Sequence, residues 1–528
     1  MPERRRELGL ASGSPLCLFH GLAMQAPVNN QRETKPHGKA AMRPAILFAT
    51  VAVVCAVAMV ASLRWRFLDR CFVEARHGLI GLDFFQLPRG YDNLLIGNNI
   101  FLTDIGTYGP YATPYLYHPF MVVAVGPWTA PLAPGAAYGL FVGVSLGLLL
   151  LSARLLASAF QTPADRGFAY FAMFCSPPTY LMLWNGQAHV LLVMAVALIL
   201  GGLMRLEQEP QSEKRFCRWI QLGLVISLLS KPVVVLMLPV LFVLPETRRK
   251  LLLPLAVYTL VSLLFLLAGD LNSGGYNGIH WLNIINLSSS PIQFFNEIIP
   301  HELNLLNKPG FYSLPILTDW MLGRSTPLLL CKLPLVAVLA MSLSPLVLDE
   351  QAQRLRAAMV TVSLCILSHF LCYYPVEEYH YTTLLPTLPV LLWLWRRESV
   401  TSLRWLLMTS LVVSLPVFLP TPCFLAPMEP NRFQTMNLLH RVVPVLVAFL
   451  CLTIYGVVFT CAAWRGSRRI AVPMRRGQIY TTLLLAGGDR SRAGYPTGKR
   501  VGGSVFDRAE PAARPAFEVD RAGFHGTL

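Results

Sequence analysis

The chain is 528 residues long, 54% hydrophobic and only 14% charged. A soluble protein carries roughly 25% charged residues, so the composition excludes an ordinary water-soluble domain and points to repeated membrane spans. The net charge of +16 gathers toward the two ends, with no aromatic-basic module beside it, which excludes nucleic-acid binding.

The apolar runs are continuous and lack ten-residue alternation, so they predict helices rather than a barrel. The expected fold is all-α, a polytopic bundle of about 11–13 membrane helices with loops on one outer face. Residues 1–43 read as a disordered segment with seven basic and three acidic residues, and Met24 and Met42 are alternative starts. The run "MRPAILFATVAVVCAVAMVASLRWR" reads as a retained first span over 45–63, not a cleaved signal. Next comes a loop containing "GLIGLDFFQLPRGYDNLLIGNNIF". The segment 117–133 holds Pro119, Pro127 and Pro131 and reads as re-entrant or interfacial. Spans follow at 135–154, 168–184 and 188–205. The stretch "WIQLGLVISLLSKPVVVLMLPVLFVLP" is too long for one simple span and too short for two, so it predicts a helical hairpin with Lys231 and Pro232 at its outer turn. Spans 251–269 and 327–347 bracket an outer loop, 270–326, and further spans lie at 357–375, 381–395, 405–420 and 438–463. The bundle domain is 44–465. The tail, 466–528, reads as disordered, and after Trp464 it holds twelve basic and five acidic residues.

Short loops rich in Lys and Arg, "RLEQEPQSEKRFCR", "ETRRK", "DEQAQRLR", "RRES" and "RGSRR", belong on the cytoplasmic side. Asp83, the stretch Asn185–His189, Lys231 and "YYPVEEYHY" then share the opposite face. Asp83 stands between Leu82 and Phe84. Partial desolvation would raise its pKa toward that of a general base, whereas the same residue type is also a common helix N-cap. Asp92 and Asp104 are further carboxylates in that loop. Lys231 suits a lipid phosphate or snorkels to headgroups. His380 can donate to a phosphate oxygen or sit in an interfacial belt with its tyrosine neighbours. Asn185 and Gly186 form a turn, after which Gln187 and His189 either face the shared surface or cap a helix. Glu377 and Glu378 read as a solvated acidic edge, one of them able to contact an acceptor. The eleven cysteines show no CxxC or CxxH spacing, so no zinc site is expected; Cys71 and Cys423 fall in outer loops, where they could pair with one another or stay as two separate thiols. "NLS" at Asn286 is a pattern too short to carry weight.

The order of these stretches resembles glycosyltransferase family 87 of the GT-C superfamily, over roughly residues 45–465. The likeness is carried by "LDFFQLPRGYDNLLIGNN", "YLYHPFMVVAVGPW", "NGQAHVLLV", "GLVISLLSKPVVVLMLP" and "EEYHYTTLLP". "YHP" stands where the family has Y-P-P, and the last element lacks the family's Trp and has Tyr379 in place of its first His. The resemblance implies an inverting, membrane-embedded hexosyltransferase. It implies Asp83 as the catalytic base and Lys231 and His380 as donor phosphate ligands. Gln187, His189, Asn185, Tyr117, His118 and Glu378 would line the sugar and acceptor pocket. The donor it implies is a polyprenyl-phosphate sugar, mannose first. The acceptor is a lipid-linked or cell-envelope glycan hydroxyl, met on the outer face of the plasma membrane among membrane lipids. No cofactor or metal is expected. Two other classes are weighed against it: a lipid or glycolipid flippase, for which paired repeats with midplane charges would speak, and a scaffold without chemistry.

Overall fold

The computed structural model describes residues 38–71, 80–96, 108–110, 117–273, 313–322, 332–372, 376–420 and 430–471. The expectations for residues 1–37, Asp104, Asn286, Cys423, most of the loop 270–326 and the tail from 472 fall outside them.

Among the described residues every regular element is helical. In chain order these are α1 (Gly38–Trp65), α2 (Gln86–Leu95), α3 (Phe120–Thr129), α4 (Pro134–Ala157), α5 (Pro163–Phe174) and α6 (Pro177–Asn185). They continue with α7 (His189–Gln208), α8 (Glu213–Leu228), α9 (Leu238–Val243), α10 (Pro245–Arg248) and α11 (Leu252–Ser273). The last are α12 (Leu314–Leu322), α13 (Leu333–Ser342), α14 (Gln351–Cys372), α15 (Thr387–Arg397), α16 (Thr401–Ser414) and α17 (Pro430–Ala471).

Among the described residues, six stretches are long and apolar enough to cross a membrane: Met42–Trp65, Pro134–Ala157, His189–Gln208, Gln351–Cys372, Thr401–Phe418 and Leu438–Arg465. Several expected spans are instead interrupted, and proline is the reason. A proline inside a helix removes a hydrogen bond and collides with the preceding turn, but it is well tolerated in the first turn. The run 168–184 breaks at Ser176, whose hydroxyl accepts from Thr179 N–H, and α6 restarts on Pro177 and Pro178. The run 327–347 is α13, opened by Pro334, followed by a 3-10 turn at Ser344–Val347. The run 381–395 begins as a 3-10 segment, Glu378–Leu384, and becomes α15 only after Pro386. At ten residues, α3 is ~15 Å long, half of the ~30 Å hydrocarbon core, as expected of a re-entrant or interfacial piece.

The predicted hairpin is present. Cys217 Sγ reaches the Glu246 carbonyl at 3.4 Å, and Gln221 Nε2 donates to the Lys250 carbonyl at 2.8 Å. The chain thus returns alongside α8, with Lys231 at the tip in extended conformation, before the 3-10 segment Pro232–Met237.

Helices α7 and α14 form the centre and are buried on nearly every side. Close approach of α8 to α7 needs small residues: a Cβ on Gly223 would stand 2.6 Å from the Ala195 carbonyl oxygen. The outer helices expose apolar side chains, such as Leu47, Val53 and Val57 on α1 and Leu450, Ile454 and Val457 on α17. Such continuous apolar surface suits lipid rather than water. At one end of the bundle lies a set of ion pairs: Arg396–Asp165 at 3.2 Å, Arg356–Glu207 at 3.0 Å, Arg397–Glu207 at 3.3 Å and Arg354–Glu246 at 2.8 Å. They join α5, α7, α10, α14 and α15 where the basic loops lie.

A deeply buried ion pair ties α17 to the 3-10 segment Glu378–Leu384. Arg441 pairs with Glu378 and also donates to the Pro416 and Leu419 carbonyls at 2.7 and 2.9 Å. Removing one partner leaves an uncompensated buried charge. Arg441→Met is therefore expected to destabilise the bundle by about 3–5 kcal/mol, visible as a lower thermal unfolding midpoint in detergent.

Candidate active site

The site is assembled at the C-terminal end of α6. The last carbonyls of a helix have no partner within it, and here the preceding loop supplies them. Gly81 N–H donates to the Trp184 carbonyl at 2.7 Å, and Asp83 and Phe84 N–H donate to the Asn185 carbonyl at 3.0 and 3.3 Å. Tyr138 hydroxyl donates to the Leu183 carbonyl at 2.7 Å. The helix closes with Gly186 N–H on the Leu183 carbonyl at 3.1 Å and Gln187 N–H on the Met182 carbonyl at 2.9 Å. That closure needs a left-handed residue, and Gly186 has φ of 69°. The Asp83 loop is thereby fastened to the turn that carries Gln187.

Both oxygens of Asp83 are held by amides. Gln86 Nε2 donates to Oδ1 at 2.8 Å, and Gln187 Nε2 donates to Oδ2. The Gln187 carbonyl oxygen accepts the Tyr117 hydroxyl at 2.7 Å and lies 3.3 Å from His189 Nδ1. Lys231 Nζ is 3.1 Å from the same Nδ1 and 5.4 Å from the centre of the Tyr117 ring. A charged ammonium can only donate, so Nδ1 of His189 then accepts. His380 packs its ring 4.4 Å from that of His189, and Tyr379 stands 5.2 Å from it. Glu377 N–H donates to His380 Nδ1 at 3.0 Å, so a neutral His380 carries its proton on Nε2. Reciprocally, the Glu377 side chain accepts from the His380 backbone N–H.

The electrostatics follow from placing several charges in a poorly hydrated pocket. Burial, then the nearby Glu377 charge, push the Asp83 carboxyl up to about 7, against the opposing pull of Lys231 and the two glutamine amides. Asp83 nonetheless keeps a partly accessible edge. Burial lowers the Lys231 ammonium to about 8, with Asp83 and Glu377 acting the other way. Burial also raises Glu377, and burial followed by the Lys231 charge holds His380 well below the ordinary histidine range. The result is a neutral imidazole beside a carboxylate and an ammonium that both titrate near neutrality, the combination expected of proton transfer next to an anionic leaving group.

Asp83, Gln187, His189, Lys231, His380 and Tyr117 thus converge from five separate parts of the chain. Asn185 contributes its backbone carbonyl. His118 turns elsewhere: its Nε2 is 3.2 Å from Ser262 Oγ on α11, and its ring lies among Tyr258 and Phe265. Glu378 faces Arg441, whereas Glu377, read from sequence as solvated edge, is the acid whose charge bears on Asp83 and Lys231. The N-cap of α2 is Phe85, without a side-chain cap, and that of α7 is Ala188, so neither Asp83 nor Gln187 serves as a cap. Phe84 and Phe85 are buried against Tyr138 and Phe141 rather than exposed. Sequence reasoning also missed Gln86 and Tyr379.

Comparison with known proteins adds one finding. Residues 115–373 match the family model of Glycosyltransferase family 87. That range contains Tyr117, Gln187, His189 and Lys231, while Asp83 and His380 flank it. No curated protein and no solved structure matches the chain.

Gly186 tests the scaffold. A Cβ there would press into Phe84 and force a side-chain-bearing residue into the left-handed region. Gly186→Ala is expected to cost about 1–3 kcal/mol by thermal unfolding, whereas Gly139→Ala, whose Cβ meets open space, lowers stability not at all.

Proposed function

Because the chain belongs, over residues 115–373, to glycosyltransferase family 87, we propose that this membrane glycosyltransferase moves a hexose, mannose, from a polyprenyl-phosphate donor to a hydroxyl of a lipid-linked or cell-envelope glycan. The observation that carries the reading is the convergence of the Asp83 carboxylate, the Lys231 ammonium and the His380 imidazole on one end of α7. The acceptor oxygen attacks the anomeric carbon with inversion. A new C–O bond forms as the bond from that carbon to the phosphate oxygen breaks, and the hydroxyl proton passes to Asp83. Polyprenyl phosphate departs with the bonding electrons. Lys231 balances the charge that grows on it, and His380 Nε2–H is the second donor to the phosphate. Preorganised donors of this kind stabilise the transition state more than the ground state.

The reading places the site at the outer leaflet of the plasma membrane. The ion-pair ring and basic loops occupy the opposite end of α7, whose twenty residues separate the two by ~30 Å, and basic loops stay cytoplasmic.

Full-length protein in liposomes, given radiolabelled polyprenyl-phosphate mannose and a membrane glycan extract, is expected to transfer label. Asp83→Asn is expected to lower the rate about 10²–10⁴-fold while leaving the protein folded; equal rates would remove Asp83 as the base. The pH profile has two limbs. Asp83 must be ionised to accept a proton, so the rate falls as pH drops below about 7. Lys231 must be charged to hold the phosphate, so it falls again as pH rises above about 8. The two groups interact, so the apparent values belong to the pair. In Asp83→Asn the acidic limb is expected to vanish.

A further inference from the structure

The amide of Gln187 has two unlike ends with different neighbours. Its Nε2 donates to Asp83 Oδ2. Its carbonyl oxygen accepts the Tyr117 hydroxyl at 2.7 Å and lies 3.3 Å from His189 Nδ1. Tyr117 and Gln187 are only 4% and 3% exposed, whereas Asp83 keeps a partly accessible edge; the pair supports the carboxylate from the protein side. Turning an amide by half a turn exchanges donor and acceptor with almost no change of shape. After such a turn the carbonyl oxygen would face Asp83, a contact that suits only a protonated carboxyl, which can donate. The amide hydrogens would then face His189 Nδ1. That nitrogen is an acceptor, because the charged Lys231 ammonium 3.1 Å away can only donate. In the observed orientation two acceptors, the carbonyl oxygen and Nδ1, therefore stand near one another, and His189 favours the turned amide. The Tyr117 hydroxyl opposes it. It gives the buried carbonyl oxygen a donor, and a phenol donates a stronger hydrogen bond than it accepts. The titratable groups that face Asp83 are Lys231 from the hairpin tip and Glu377 and Tyr379 from the segment before α15. Gln187 brings in Tyr117 and His189, and His380 and His369 lie next to His189.

Resting on the functional reading given above, we propose that Tyr117 is a positioning residue: its hydroxyl, donating to the Gln187 carbonyl oxygen, sets the amide with its N–H toward Asp83 and so keeps the base ionised and aimed. The hydrogen bonds run in one direction, from Tyr117 to Gln187 to Asp83. The two parts of the side chain serve different partners, since the Tyr117 ring stands 5.4 Å from Lys231 Nζ while the hydroxyl serves the base. A phenylalanine in its place keeps the ring for the ammonium and gives up only the hydroxyl.

Infrared titration of the full-length protein without substrate tests this. The Asp83 carboxyl band is the one missing in Asp83→Asn, and its midpoint is compared between wild type and Tyr117→Phe. The midpoint in Tyr117→Phe is expected to lie higher by about half to one pH unit. The acidic limb of kcat is expected to move with it, so that below the midpoint the variant turns over about three- to tenfold more slowly, while KM for donor stays the same. In a Gln187→Met background, Tyr117→Phe is expected to move the midpoint no further, because the link to Asp83 is already cut. An unmoved midpoint in Tyr117→Phe overturns the proposal, and so does an equal shift with and without Gln187. Should Tyr117→Phe not fold, Gln187→Met alone decides: its midpoint is expected to rise, and an unchanged one overturns the proposal as well. A wild type that transfers no sugar refutes the functional reading instead, and the infrared midpoints still decide whether Tyr117 acts on Asp83 through Gln187.

Discussion

The end of one short helix organises the site. The carbonyls of α6 that helix geometry leaves unpaired are taken up by the N–H groups of Gly81, Asp83 and Phe84 and by the Tyr138 hydroxyl. A buried carbonyl without a partner is costly, so this loop cannot leave without exposing several polar groups at once. The position of Asp83 relative to Gln187 is therefore a property of backbone hydrogen bonding, secured before any side chain is considered. Phe84, buried against Phe141 and Tyr138, adds an apolar anchor to the same contact.

From that fixed pair the remaining groups are reached through neighbours. Gln187 orients its amide between Asp83 and Tyr117, His189 stands between Gln187 and Lys231, and His380 packs on His189. Each element that contributes is a break rather than a continuous helix: the α6–α7 turn, the hairpin tip and the 3-10 segment from Glu378 to Leu384. In a membrane protein, irregular backbone is tolerated where protein or a polar cavity surrounds it. The interruptions that shorten the expected spans thus occur where polar side chains are brought together, while α7 and α14 remain regular and give the breaks a rigid frame.

Much of this was legible in the chain. Composition and the lengths of the apolar runs establish a helical membrane bundle, and the Asn185–Gly186 pair and the Lys231–Pro232 pair mark two turns that the structure contains. The grouping of Asp83, Gln187, Lys231 and His380 follows from counting crossings. What escaped was orientation within irregular segments. Glu377 and Glu378 are adjacent, yet one faces the pocket and the other pairs with Arg441; in a 3-10 turn no apolar periodicity tells them apart. Phe84 and Phe85 are buried next to a turn in which Gly81 has φ of 75°, a backbone state that apolar periodicity does not report. The family-like element "YLYHPFMVVAVGPW" brings His118 forward together with Tyr117, yet the His118 ring lies against Tyr258 and Phe265 of α11.

The two glutamines that flank Asp83 have a stereochemical consequence. Each amide occupies a lone pair on one carboxylate oxygen, so on the proposed function only the remaining lone-pair directions would be open to an incoming alcohol. The trajectory of approach is narrowed by hydrogen bonds rather than by the girth of a cavity. Were the proposed acceptor a polyol, regiochemistry would depend on which hydroxyl can align with those open directions while its ring clears the protein, and replacing either amide by an apolar side chain would broaden the linkages formed.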